Sequence, residues 1–434
     1  VASTTVVSTL NGNYKRVYGK ISQAVPEVDW CLENIKWDQG NIVGDSYEEL
    51  VVVRSENGYT YGGSGGTAYT LNASVAMQTE PARVTPFEYT MTSRVAYGAA
   101  KRAAKAGPRA FAKWSVLLMK NMMESVARRL EISVIHGQHA QGIAQIAIGK
   151  FTNASTICTI IVSEDQWAAG IWQGSEGALA EVYSSGDTKI VDGSNTTIEI
   201  FSVDFRTRTI QAIASSATLA GNVTTSNATA VVNIFFVGSR TNDMVGMKQI
   251  FSNTGGTIHG ISAGTYGAWA GNLFTAGNEP MTMAKVFGFA AQIQARSRKN
   301  KERVFLCSPF TWTDLHQEQM AARSYDESYS KDKIETGSEE IVYFSPSGKI
   351  RVVAHPCMKG GEALLFPLST MKRIGSAEKE WEIPGADSDP WAPVAGVNAA
   401  EIRNYSDQTV FCSLPAECAY VDDIINTYGT TGQI

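Results

Sequence analysis

Residues 107–137 read GPRAFAKWSVLLMKNMMESVARRLEISVIHG, and the folding of this stretch decides much of the rest. It has the marks of one long helix. Gly107 can serve as N-cap, and Pro108 falls at the first helical position, where its missing N–H costs nothing. No glycine or proline interrupts the run until Gly137, which supplies a left-handed residue to end it. At about 1.5 Å per residue such a helix spans roughly 40 Å, long for a globular domain. Met119, Met123, Val126, Leu130 and Val134 recur on one face, while Lys113, Lys120, Arg128 and Arg129 occupy the others. An element of this length needs an equally long surface to lie on.

Composition bounds the class. The 434 residues exceed what one core holds and imply about two or three domains. An apolar content of 44% with 18% charged residues describes a globular chain. There is no apolar run of membrane length, and the opening VASTTVVSTL lacks the basic and apolar regions of a secretory signal. A net charge of −5 gives no global attraction to nucleic acid. The six cysteines are scattered without a CxxC pair, which suits free thiols in a reducing compartment.

Working outward, residues 1–45 show no strong periodicity and read as an extended arm with one short apolar helix around Trp30, Cys31, Leu32, Ile35 and Trp37. Residues 46–96 read as a long β-hairpin, with strands at 50–53 and 83–92 around the Gly-rich tip ENGYTYGGSGGTAYTLNAS. A hairpin with so few large apolar residues gains order by lying on another molecule. Tyr59, Tyr61, Gly62, Gly63, Gly65, Gly66 and Tyr69 are therefore the candidate inter-subunit contacts. From Arg94 to Arg129 there are nine Lys or Arg against one acid, Glu124. This strip either pairs with acidic neighbours or faces nucleic acid; Lys101, Arg102, Lys105 and Arg109 are the candidates for the second role. Residues 97–154 carry the long helix.

Residues 155–240 form a β-rich block with strands at 156–162, 178–183, 197–203, 208–213 and 230–237, separated by Ser, Thr, Asn and Gly. The spacing predicts a small, self-contained all-β insertion. Residues 241–279 read as an extended Gly-rich loop. A helix from about 278 to 299 follows, then a strand at 303–307, a helix over 309–323, strands at 340–344, 349–354 and 362–366, and a tail strand at 408–412. The fold class is α+β with a mixed sheet.

Little points to catalysis. Residues 62–66, GGSGG, match the G-x-S-x-G nucleophile elbow around Ser64, but that motif needs a strand before the serine and a helix after it. His136 and His139 are spaced H-x-x-H, while His259, His316 and His355 are isolated. No metal, cofactor or catalytic set emerges.

The order of parts carries the functional reading. The stretches AAGIWQGSEGALAEVY (168–183), MVGMKQIFSNTGG (244–256), VFLCSPFTWTDLHQEQMAARSYDESY (304–329), MKRIGSAEKEWEIPG (371–385) and EIRNYSDQTVFC (401–412), in that order, resemble tailed-bacteriophage major capsid proteins of the Hong Kong-97 fold, with an inserted β domain. The resemblance implies that 46–96 is the E-loop and 97–154 the peripheral domain with its spine helix. It places the axial domain mainly in 280–370 and returns 371–434 to the peripheral domain. It implies a homo-oligomer of hexamers and pentamers closing an icosahedral shell around double-stranded DNA, which is held by non-specific contact. Its expected partners are a separate scaffolding protein, since no charged helical segment precedes Val1, a portal and a decoration or cement protein. The expected location is the virion capsid, and the host cytoplasm during assembly, without a membrane. An encapsulin shell is the alternative within the fold; a serine hydrolase using Ser64 is the alternative outside it. No lysine lies between Lys36 and Lys101, so the lysine–asparagine cross-link of some family members lacks its nucleophile in the hairpin.

Overall fold

The computed structural model describes residues 29–39, 46–66, 68–98, 108–296, 301–322, 341–345, 348–381, 391–394 and 396–427. The long helix is Pro108–His136. Val126, Leu130 and Val134 are buried along it, and Met119 and Met123 half-buried. Its expected N-cap, Gly107, lies outside the described residues. Its end corrects the sequence reading: the left-handed residue is Gln138, at φ 53°, and not Gly137. Gly137 is needed for space, since a Cβ there would sit 2.3 Å from the Met244 carbonyl oxygen.

Besides this helix, the described residues form three larger sheets and two two-stranded ribbons. In the first, the 14-residue strand Ala399–Cys412 pairs antiparallel with Phe87–Ala96 along one edge. Its other edge takes Met371–Glu380 and Trp391–Pro393, and Lys36–Asp38 adds in parallel to Met371–Glu380. The second, mixed sheet runs in the order Asn272–Glu279, Ala419–Ile424, Ala363–Phe366, Arg303–Cys307, Gly348–Ala354, Ile341–Ser345. Helices Met283–Arg296 and Pro309–Ala322 flank it, burying Val286, Phe289, Ala290, Ile293 and Leu315 with Phe305 and Leu365.

The β-rich block appears as Ile157–Ile161, Leu179–Ser184, Ile198–Asp204, Thr209–Ala214 and Val232–Phe236, all paired antiparallel. Two features differ from expectation. The sheet has seven strands, because Ala144–Ile146 and Phe151–Ala154 form its edges. It is also not all-β: Ala217–Thr229 is a 13-residue helix, capped where the Ser216 hydroxyl accepts from Leu219 N–H at 3.0 Å. Its Thr, Ser and Asn residues have weak helical preference, but Leu219, Ala220, Val223 and Asn227 give it one buried face. Ile160, Ile200 and Val232 share one continuous core with Val126 and Leu130 of the long helix.

Residues 241–279, expected to be an extended loop, are instead compact. They hold the helix Met247–Phe251, a two-stranded turn at 257–262 and the strand Asn272–Glu279. The glycines there allow close backbone approach: a Cβ at Gly271 would lie 2.1 Å from the Phe251 carbonyl oxygen.

The hairpin is shorter than 46–96. Tyr47–Arg54 pairs with Gln78–Val84, and Pro86, lacking an N–H, separates that ribbon from Phe87–Ala96, which joins the first sheet.

Candidate assembly surfaces

The hairpin divides into an anchored base and a projecting tip. Along Tyr47–Arg54 the side chains alternate: Tyr47, Val51 and Val53 pack with Ala82 and Val84 against Ile261, Trp269, Ile374 and Phe411. The Arg83 N–H donates to the His259 carbonyl at 2.8 Å, and Lys372 pairs with Glu49. The opposite face turns Leu50 out, 73% exposed, together with Val52.

Beyond Arg54 the ribbon loses its ladder. Asn57 and Val75 form an isolated bridge. Asn72 donates from its backbone N–H to Thr60 Oγ1 (2.8 Å) and from its side chain to the Tyr59 carbonyl (2.9 Å). The Tyr69 ring lies over Gly62, where a Cβ would come within 2.2 Å of it. Gly63 and Gly66 take left-handed φ values of 68° and 62°. Gly65 is exposed, as are Tyr59 and Tyr69, and Tyr61 is 92% exposed. The candidate contact residues thus cluster at one projecting tip. Sequence reasoning missed Leu50, Val52, Leu71, Val75 and Met77, which extend the exposed apolar surface. A readable signal existed, since residues 57–79 contain no charged side chain. Ser64 sits in an exposed bend with neither a strand before it nor a helix after it, so the elbow's context is missing.

The basic strip resolves in part. Arg94 pairs with Glu401 at 2.6 Å, and Lys120 with Glu124 at 3.4 Å. Arg128 donates to the Gln173 carbonyl, and Arg129 stacks on Phe236. These four are engaged within the chain. Lys101, Arg102 and Lys105 lie outside the described residues; Arg109 is in the first turn of the long helix, and its side chain is not among those described.

The arm enters the body through a buried carboxylate. Glu131 accepts from the backbone N–H groups of Cys31 (2.6 Å) and Leu32 (3.1 Å) at the start of the helix Trp30–Asn34. It thereby satisfies donors that a helix start leaves open. His355 Nε2 donates to the same carboxylate at 2.9 Å, and its Nδ1 accepts from Cys357 N–H. Cys31, Glu131 and His355 have ligand atoms within 4.8 Å of one another, and Glu131 and His355 are hydrogen-bonded to each other within that set. Arg373 completes the anchor, donating to the Leu32 carbonyl at 2.6 Å and to Gln408 at 3.0 Å.

A second buried polar group joins the end of the long helix to the mixed sheet. Lys248 Nζ meets Glu362 at 2.5 Å and Gln141 at 2.6 Å; Lys359 Nζ donates to the Gly142 carbonyl (3.0 Å) and to Gln166 (3.2 Å). Burial would raise the Glu362 carboxyl, but Lys248 and Lys359 pull it down to about 2. Burial, with Lys248 beside it, pushes Lys359 down to about 7. Burial and the nearby Lys359 push His136 down to about 3. His136 Nε2–H donates to the Cys357 carbonyl at 2.8 Å.

No protein-family profile matches the chain, and no curated protein does. Solved structures do. The capsid asymmetric unit of cyanophage A-1(L) superposes at a TM-score of 0.54 with 10% identity, over 98% of this chain and 97% of that one. The capsid of a native GTA particle follows at TM-score 0.48, 9% identity and 98% and 100% coverage. The holo-SrpI encapsulin complex of Synechococcus elongatus PCC 7942 follows at 0.41, 8% identity and 97% and 98% coverage. At such identities the likeness is one of fold: this chain has the fold of the cyanophage capsid subunit over nearly its whole length.

Proposed function

We propose that the chain is the major capsid subunit of a tailed bacteriophage. It assembles as hexamers and pentamers into an icosahedral shell that encloses double-stranded DNA. The observation that carries this is the projecting hairpin tip, uncharged from 57 to 79 and presenting exposed tyrosines, on a body with a capsid subunit's fold. An exposed apolar stretch of this kind marks an interaction surface. In this reading 46–96 act as the E-loop, with Tyr59, Tyr61, Gly62, Gly63, Gly65, Gly66 and Tyr69 as contacts to neighbours. The peripheral domain comprises 97–154 and 371–434, the axial domain lies mainly in 280–370, and 155–240 is an inserted domain. Lys101, Arg102, Lys105 and Arg109 face the packaged DNA. Assembly proceeds in the host cytoplasm on a scaffolding protein, with a portal and a decoration protein as further partners.

The shell holds without isopeptide bonds, because no lysine lies between Lys36 and Lys101 and an arginine stays protonated. Many weak contacts per subunit act together instead. Electron microscopy of particles from the expressed chain tests the assembly, and their nuclease-resistant content tests the cargo. Mature particles boiled in SDS with reductant are expected to give one band near the 46.8 kDa monomer. A reduction-resistant ladder contradicts the absence of cross-links, and protein cargo in place of DNA contradicts the phage reading.

A further inference from the structure

The chain passes from the first sheet to the mixed sheet through one short turn, and that turn has a cysteine at each end. Cys412 is the last residue of the strand Ala399–Cys412, opposite Met371. Cys418 follows the short 3-10 helix Pro415–Glu417 and directly precedes the strand Ala419–Ile424. The two sulfurs lie 3.6 Å apart and share a hydrogen bond. Both side chains are almost wholly buried in one core. The other four cysteines are buried too, but no such contact joins any two of them among the described residues.

The backbone holds both positions. The Ser413 N–H donates to the Thr370 carbonyl at 3.0 Å, and the Cys418 N–H to the Pro415 carbonyl at 2.9 Å. The Cys418 thiol also faces the Leu414 carbonyl at 3.8 Å. A disulfide bond is about 2.05 Å long, so the sulfurs have to close by roughly 1.5 Å, within reach of side-chain rotation and small backbone shifts. Burial holds the Cys418 thiol well above its ordinary value, so it stays protonated at neutral pH and reacts slowly. A peroxide, small and uncharged, suits so enclosed a pair better than a bulky charged disulfide does.

We propose that Cys412 and Cys418 are a redox-controlled lock on this crossing, a dithiol in a reducing compartment and a disulfide after exposure to a peroxide. One thiol loses its proton and attacks an oxygen of hydrogen peroxide; the O–O bond breaks, leaving a sulfenic acid and, once the released hydroxide takes up the proton, water. The second thiol loses its proton and attacks the sulfenic sulfur; the S–S bond forms and a second water leaves. Two thiols thus give up two electrons, and the peroxide takes them to become two waters. The bridge closes a ring over residues 412–418 and ties together the ends of two strands that belong to different sheets. It does not depend on the shell reading, because every atom involved lies within one chain.

The test uses the full chain, purified with reductant, desalted and exposed to hydrogen peroxide while folded. Catalase ends the exposure, and the chain is then unfolded and alkylated. Intact mass is expected to show four alkylated cysteines in place of six, and six again when reductant precedes the alkylation. Residues 404–434 contain no lysine or arginine, so trypsin releases both cysteines in one peptide, expected two hydrogens lighter and free of label. Cleavage after Glu417 should then leave two pieces joined until reductant is added. Six alkylated cysteines after peroxide overturn the proposal, as do oxygen atoms added to Cys412 or Cys418, or a bridge between a different pair. In urea, the bridged chain is expected to show an unfolding equilibrium constant lowered roughly ten-fold, and Cys418→Ala treated alike no such gain. A bridged chain that unfolds as readily as the dithiol shows that the bond locks nothing, which also overturns it.

Discussion

The buried junction around Glu362 and the hairpin tip around Tyr61 handle polarity in opposite ways. At the junction Lys248, Lys359, His136 and Glu362 are each almost wholly buried, and the charges find their partners inside one chain. At the tip no charge occurs over 57–79, yet nearly every residue is open to solvent. A buried charge without a partner is costly, so the junction has to be complete within the subunit. On the proposed function, an uncharged, exposed ribbon with Tyr59, Tyr61, Tyr69, Leu71, Val75 and Met77 open to solvent acquires its partner on assembly. On the same reading the body and the hairpin base carry their own stability, and the tip takes its order from neighbours.

The most severe challenge to this contrast is Glu362→Gln. It leaves Lys248 and Lys359 buried beside a neutral amide and is expected to destabilise the unassembled subunit by about 3–5 kcal/mol in urea titrations. A loss below about 1 kcal/mol would mean that water reaches the junction and that the charges are not truly confined.

Acid gives the next largest effect. His136 is held far below its ordinary value of 6.5, so the unfolded chain takes up a proton there before the native one does. Its contribution is complete above pH 6.5 and is lost as pH falls toward 3, on the order of 1.4 kcal/mol per unit. Glu362, also depressed, adds a second loss as pH falls from about 4.5 toward 2. His259, pushed by burial down to about 4, and His139, also lowered by burial, add losses of the same sign. The His136 share is about 2 kcal/mol between pH 6.5 and 5, and His136→Gln should reduce the slope by that much. A slope unchanged by the substitution would place the sensitive group elsewhere.

The smallest effect on the subunit is expected from deleting residues 57–68. The urea midpoint should shift by no more than about 0.5 kcal/mol, while closed particles are lost. A deletion that unfolds the monomer would show that the tip belongs to a core.

Much of this was legible in the sequence. Pro108 and the uninterrupted run to Gly137 located the long helix, and β-branched clusters such as TICTIIV located the strands of the seven-stranded sheet. The misses have physical causes. Ala217–Thr229 is rich in residues of weak helical preference, and only packing of Leu219 and Val223 makes it a helix. Residues 241–279 read as loop because their glycines were taken as signs of freedom. Gly137, Gly246 and Gly271 are there because backbones meet, as at Gly246, where a Cβ would lie 2.5 Å from the Gly137 nitrogen. The tip residues could be picked from composition, but the groove at Arg129 could not: Arg129 is far in the chain from Phe236 and Asp243 and meets them only in the fold.

Hydrogen exchange at residues 57–77, compared between unassembled subunits and closed particles, tests the central claim most directly. The account predicts amides that exchange freely in the subunit and become strongly protected in the particle, while those of Leu130 to Ile135 on the long helix are protected in both. Equal protection of the tip in the two states, whether high or low, would contradict it.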